Sequence, residues 1–279
     1  MKLRRQIGFL ATLLGLLWAG TLALAAPNLP DVAYGPDPRH RLDVYLPEQP
    51  LDAPVIVMVH GGGWRFGDKS NLNVWQNKVA HWTSQGTIVV AVNYRLLPQV
   101  GPVEQANDVA LALSFVQRHS DGWGASEHNI VLMGHSAGGH LVAMLNANPT
   151  LAHMQGAKPW LGSVVLDTAA LDIPQLMQNT RSRLYQDAFG DDPAYWAAAS
   201  PLHLLTAGAP PVLLVCSTRR ALPCPEARKF QAATQERGGK ARTLPVDYSH
   251  RSINAVLGLD KAFTSQVDAF LIEIGLFAR

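Results

Sequence analysis

The sequence predicts an α/β chain, with a mostly parallel central sheet and helices on both of its faces. Three observations carry that expectation. Short β-branched runs alternate with longer segments of helical periodicity. Runs such as Val55-Ile56-Val57-Met58-Val59 are apolar at every position, as strands covered on both sides require. The 279 residues are 48% hydrophobic and only 16% charged, which is the composition of a packed domain and excludes a disordered chain. One domain is expected, because α/β folds often run to about 250 residues.

The elements begin after a leader. Lys2, Arg4 and Arg5 precede an apolar stretch over 7–22, and Ala23-Leu24-Ala25 supplies the small residues a signal peptidase cleaves after. Residues 1–25 therefore read as a signal peptide, the location as secreted or periplasmic, and 26–279 as the mature domain. An uncleaved anchor is the alternative, since about 20 apolar residues span a bilayer. After cleavage no stretch is apolar enough to hold the chain in a membrane. Of 23 Lys and Arg, the leader takes three, leaving 20 against 21 Asp and Glu. The net charge of +2 thus becomes about −1 in the mature chain, which argues against nucleic acid as a partner.

Strands are expected over 42–46, 55–60, 87–93, 129–133, 162–167, 212–216 and 242–246. Helices are expected over 73–84, 103–118, 137–147, 226–237 and 261–274, where apolar residues recur at three- and four-residue spacing. Between 173 and 209 the alternation stops. The mixture of Arg181, Arg183, Tyr185, Asp191, Asp192, Pro193, Tyr195 and Trp196 reads as a cap-like insertion of short helices above the sheet. Cys216 and Cys224 lie eight residues apart with Pro223 and Pro225 flanking the second, so an exported chain is expected to bridge them across a loop.

Two glycine motifs carry the chemistry. Gly134-His135-Ser136-Ala137-Gly138 falls between an expected strand and an expected helix, the setting of a nucleophile elbow. A turn that tight has no room for flanking side chains, and it pushes the serine hydroxyl out above the sheet. His60-Gly61-Gly62-Gly63-Trp64 follows another apolar strand, and its glycines leave backbone N–H groups unscreened for a developing oxyanion.

These motifs, with Asn93-Tyr94-Arg95-Leu96, Asp108 and the late Ser249-His250 pair, resemble the HGGGW carboxylesterases and lipases of the α/β-hydrolase fold. The resemblance runs from about Tyr34 onward. It implies Ser136 as nucleophile, the Gly62, Gly63 and Ala137 amides as oxyanion hole, and structural roles for Arg95 and Asp108. Chain order in this fold is Ser, acid, His, which points to His250 as the base; His140 follows Ser136 too closely, and His153 and His203 sit in connecting segments. The acid departs from the common pattern. Where an Asp is expected after the seventh strand, Arg219 stands. Asp167, ending a strand next to the elbow strand, is the preferred acid, as in pancreatic-type lipases; Asp172 and Glu226 are the alternatives.

The function expected is ester hydrolysis through an acyl-enzyme on Ser136, acting on a small-molecule ester with no cofactor and no metal. Trp64, with Trp160 or Trp196, is a candidate for lining the substrate pocket. Arg219 and Arg220, near Arg251, either form a solvated loop or attract a carboxylate-bearing ester. An amidase or formamidase with the same triad, and a silent scaffold that binds a ligand, are the rival readings.

Overall fold

The protein's structure, a computed structural model, describes residues 26–277; the signal peptide expected over 1–25 lies outside them. The elements run β1 (Leu29–Ala33), β2 (Arg41–Tyr45), β3 (Ala53–Val59), α1 (Leu72–Thr83), β4 (Ile88–Val92), α2 (Pro102–His119), β5 (Ala125–His135), α3 (Ala137–Ala147), α4 (Thr150–His153) and β6 (Gly162–Leu166). They continue with α5 (Ile173–Asn179), α6 (Arg183–Phe189), α7 (Pro193–Ala198), α8 (Pro201–Leu204), β7 (Val212–Ser217), α9 (Pro223–Glu236), β8 (Ala241–Val246), α10 (His250–Val256) and α11 (Lys261–Glu273).

The eight strands form one sheet in the order β1-β2-β4-β3-β5-β6-β7-β8. β2 runs antiparallel to both its neighbours, and every pairing from β4 across to β8 is parallel. Side chains alternate across the sheet, so each central strand feeds two cores. Val55, Val57 and Val59 join the core that includes Leu113 and Leu141 from α2 and α3. Ile56 and Met58 join the opposite core, with Trp82 from α1 and Phe270 from α11. That double burial explains the unbroken apolar run of β3.

Four expectations shift. β1 was not anticipated, because Leu29–Ala33 is a short, half-exposed edge strand containing Pro30. β5 extends well beyond 129–133 at both ends. His250 begins α10, where a loop was expected, and Ser249 caps that helix by accepting from the Ser252 N–H. α9 starts at Pro223 and not at 226, since prolines suit a first helical turn; Cys224 is therefore a helical residue. The 173–209 segment consists of four short helices, α5 to α8. Among the described residues no helix is long and apolar enough to cross a membrane.

Candidate active site

The sheet places the nucleophile and the acid side by side. β5 and β6 pair in register with His135 opposite Leu166, so Ser136 and Asp167, the next residues, emerge together at their carboxyl ends. Main-chain bonds fix both: the Ser136 N–H donates to Leu166 O at 2.9 Å and the Asp167 N–H to Val215 O at 2.8 Å. Both also stand at positive φ, 56° for Ser136 and 51° for Asp167, a strained backbone that clusters at functional sites.

The elbow's glycines are sterically required. A Cβ on Gly138 would lie 2.4 Å from the carbonyl oxygens of both Val59 and His60, and one on Gly134 would lie 2.3 Å from Gly138 O. The turn can close only if α3 presses its backbone against β3 and the end of β5. Gly61 packs equally close, a Cβ there falling 3.0 Å from Ser136 Cβ. Gly62 (φ 127°) and Gly63 (φ 61°) turn the chain in conformations that favour glycine. Among the described residues, the Gly62 and Gly63 amides donate to no loop acceptor. Ala137 is the first residue of α3, where helix geometry leaves the N–H without an internal partner. These amides flank the serine, as an oxyanion hole requires.

Neutral histidines brace this side. His60 is fully buried, bonds through Nδ1 to Gly61 O at 2.7 Å, and stacks on Tyr94, whose hydroxyl donates to His60 O. Arg95 holds Asp108 through several N–H bonds, anchoring the segment that carries Tyr94 onto α2. His140 accepts from Trp64 Nε1 at 3.1 Å and donates through Nε2 to Ala199 O at 2.8 Å, tying the oxyanion loop, the elbow helix and the cap together. His135 donates Nε2–H to His250 O at 2.8 Å and so supports the base from below. Burial disfavours the charged imidazolium in all three, bringing His60 and His140 down to about 4 and His135 to about 3.

The base and acid complete a relay. His250 Nε2 lies 2.9 Å from Ser136 Oγ, and its Nδ1 lies 2.6 Å from Asp167 Oδ2. The Asp167 side chain is wholly inaccessible, and Oδ1 accepts the Ser217 N–H at 2.8 Å. Burial opposes ionisation of this carboxyl, but the hydrogen bonds from His250, Ser217 and Arg220 outweigh it and hold Asp167 below the usual carboxylate value. Of the alternative acids, Asp172 caps α5 and pairs with Lys229 and His203. Glu226 sits on α9, its Oε2 buried without a partner. Neither touches His250.

The site opens into a cavity of about 720 Å³ whose lining includes Gly63, Phe66, Thr168, Leu184, Tyr185 and Arg251. Leu184 and Tyr185 come from α6, so the cap forms one wall, and Arg65 ties the oxyanion loop to that helix by a 3.0 Å bond to Asp187. Of the three tryptophans considered, Trp64 borders the cavity but is 3% exposed, wedged against His140 and Phe189, and acts mainly as a strut beneath the wall. Trp160 donates to Ser163 within the core, and Trp196 donates to Phe189 and Gly190; neither lines the cavity. Cys216 and Cys224 form a disulfide, which closes the segment after β7 onto α9.

That segment holds what sequence reasoning missed. Arg219, in the place of the usual acid, forms an exposed pair with Asp247 and lies off the relay. Arg220 reaches both Asp167 and His250. The supporting parts of Ser217 and His135 also went unread, because they act through contacts distant in sequence. Among the described residues no group of three or more His, Cys, Asp or Glu is arranged to hold a metal ion.

Comparison with known proteins bears on the fold and the family. The BD-FAE family model matches residues 42–232. Over 240 residues the chain is 30% identical to the isoprenylcysteine alpha-carbonyl methylesterase ICME of Arabidopsis thaliana, covering 76% of this chain and 54% of that protein. It is 28% identical to esterase LipC of Mycobacterium tuberculosis over 217 residues, 71% of this chain and 53% of LipC. The chain thus spans about half the length of the curated relatives it matches. In structure it is similar to the apo form of Thermogutta terrifontis esterase 2, with a TM-score of 0.71, 23% identity, and coverage of 91% of this chain and 97% of the other. The fold is that of the α/β-hydrolases, and the chain belongs to the BD-FAE family.

Proposed function

We propose that this chain is a secreted or periplasmic serine hydrolase that cleaves carboxylic esters of small molecules through an acyl-enzyme on Ser136. The observation that carries the reading is the continuous line from Asp167 Oδ2 through His250 to Ser136 Oγ, at 2.6 and 2.9 Å, beside the Gly62, Gly63 and Ala137 amides. Binding alone would require neither a strained serine nor open amides next to it. The relatives named as methylesterase and esterase support the same chemistry.

In this reading Ser136 Oγ attacks the ester carbonyl while His250 Nε2 takes its proton, and the carbonyl oxygen becomes an oxyanion held by the amides. Collapse expels the alcohol, which leaves with the proton from Nε2. Water then adds to the acyl-enzyme by the same route in reverse, releasing the acid and restoring Ser136. Asp167 keeps Nδ1 protonated and offsets the imidazolium charge. Exposed Phe66 and Leu184 give the cavity mouth an apolar rim suited to a short acyl or alcohol group. The leader sequence supports export, and the disulfide suits an oxidising compartment.

Hydrolysis of p-nitrophenyl acetate and butyrate by wild type, lost in Ser136→Ala, is the expected result. A folded wild type inert towards activated esters and amides alike would instead favour a silent ligand-binding scaffold.

A further inference from the structure

Arg220 Nη1 lies 2.7 Å from Asp167 Oδ2, 3.3 Å from the Asp167 main-chain oxygen and 2.9 Å from His250 Nδ1. This nitrogen carries two protons, and the two oxygens accept both. His250 Nδ1 also stands 2.6 Å from Oδ2, a separation that two bare acceptors would not hold. Nδ1 therefore carries a proton aimed at Asp167, and the close approach of Arg220 to the ring is not a hydrogen bond to it. The opposite arrangement, with Nδ1 accepting from Arg220, would leave a proton on Nε2 and a base unable to accept one from Ser136. Which arrangement holds depends on where the carboxylate stands.

We infer that Arg220 is a positioning residue of the catalytic triad, clamping the Asp167 carboxylate so that Oδ2 faces His250 Nδ1. The guanidinium grips the side-chain and main-chain oxygens of one residue at a position whose backbone is strained. The Ser217 N–H holds the other carboxylate oxygen. The loop is itself secured: Ser217 Oγ donates to Tyr248 O at 2.6 Å, just before His250, and the disulfide closes the segment that carries Arg220. Arg219, its neighbour, turns outward to Asp247. The loop position that commonly supplies an acid thus supplies, one residue later, a cation for an acid supplied by the adjacent strand. The competing role is binding of a substrate carboxylate, for which Arg251 on the same cavity has no partner among the described residues.

The inference rests on the proposed ester hydrolysis, and the two fail separately. Wild type inert towards p-nitrophenyl acetate would defeat that reading; an active wild type matched by Arg220→Met defeats only this one. Kinetics of Arg220→Met and Arg220→Lys on this neutral ester are expected to show kcat reduced about 10- to 100-fold in the Met variant, the cost of slight misplacement of a reacting group. KM should stay near wild type, Lys should recover part of the loss, and added guanidinium ion should raise the Met variant's rate without affecting wild type. Unchanged kcat, or a rise in KM confined to an acidic ester such as mono-p-nitrophenyl succinate, would overturn the inference. Should the Met variant not fold, Lys decides: reduced kcat at constant KM supports the clamp, and wild-type kcat overturns it.

Discussion

Ser136 and Asp167 end adjacent strands at similar strained φ values, yet they are secured by different means. Around Ser136 the contacts are main chain on main chain: Gly138 against Val59 and His60, Gly134 against Gly138, and neutral buried histidines wedged behind. Around Asp167 they are charge-assisted bonds from His250, Arg220 and the Ser217 amide. The nucleophile side is therefore vulnerable to added atoms and to protonation, and the acid side to the loss of a charge.

The largest effect is expected on the acid side. Asp167→Asn should lower kcat by about 10⁴ with the fold retained, the scale set when a triad His loses its orienting carboxylate. Steady-state rates with circular dichroism as a fold control check this, and a tenfold or smaller loss would place the acid elsewhere. On the nucleophile side, Gly138→Ala puts a Cβ 2.4 Å from two carbonyl oxygens. That overpacking should cost about 3 kcal/mol in urea unfolding, whereas Asp167→Asn primarily affects turnover.

Acid separates the two sides further. His60, His135 and His140 bind protons less readily folded, at about 4, 3 and 4, than their ordinary value of 6.5. The unfolded chain then takes up more protons as pH falls below about 6.5, so stability is lost progressively from there downward, levelling near each histidine's folded value. Asp167 behaves otherwise: with its folded value lowered, its contribution persists above the ordinary 3.8 and is lost only below it. Urea midpoints at pH 7, 5.5 and 4.5 should fall throughout, and a flat profile from 7 to 5 would contradict neutral bracing. The smallest effect is expected at Arg219. Its ion pair with Asp247 is exposed and screened by solvent, so Arg219→Ala should leave the urea midpoint within error of wild type and kcat unchanged.

The same contrast governs what could be read before the structure. The elbow and the oxyanion loop must bring backbones within van der Waals contact, and only glycine allows that, so Gly134, Gly138 and Gly61 to Gly63 are visible as a local pattern. Asp167 was readable only from its strand's place beside β5, which left Asp172 and Glu226 open until the structure paired Asp172 with Lys229 and left Glu226 Oε2 buried without a partner, away from His250. Arg220 was not readable as a triad partner. Its contacts with Asp167 and His250 span 53 and 30 residues, and a cation in that loop has no local signature separating it from Arg219. The fold itself was legible where strands are buried on both faces. It was lost at β1, where one edge strand with a proline lacks that pattern, and at α10, where seven residues are too few to show a period.

The central claim is that His250 activates Ser136 as a nucleophile. Reaction with a fluorophosphonate probe, followed by intact mass and peptide mapping, tests it most directly. The account predicts one adduct per chain on Ser136, formed quickly by wild type and much more slowly by Asp167→Asn or His250→Ala. No adduct on folded wild type, or an adduct on another serine, would contradict it.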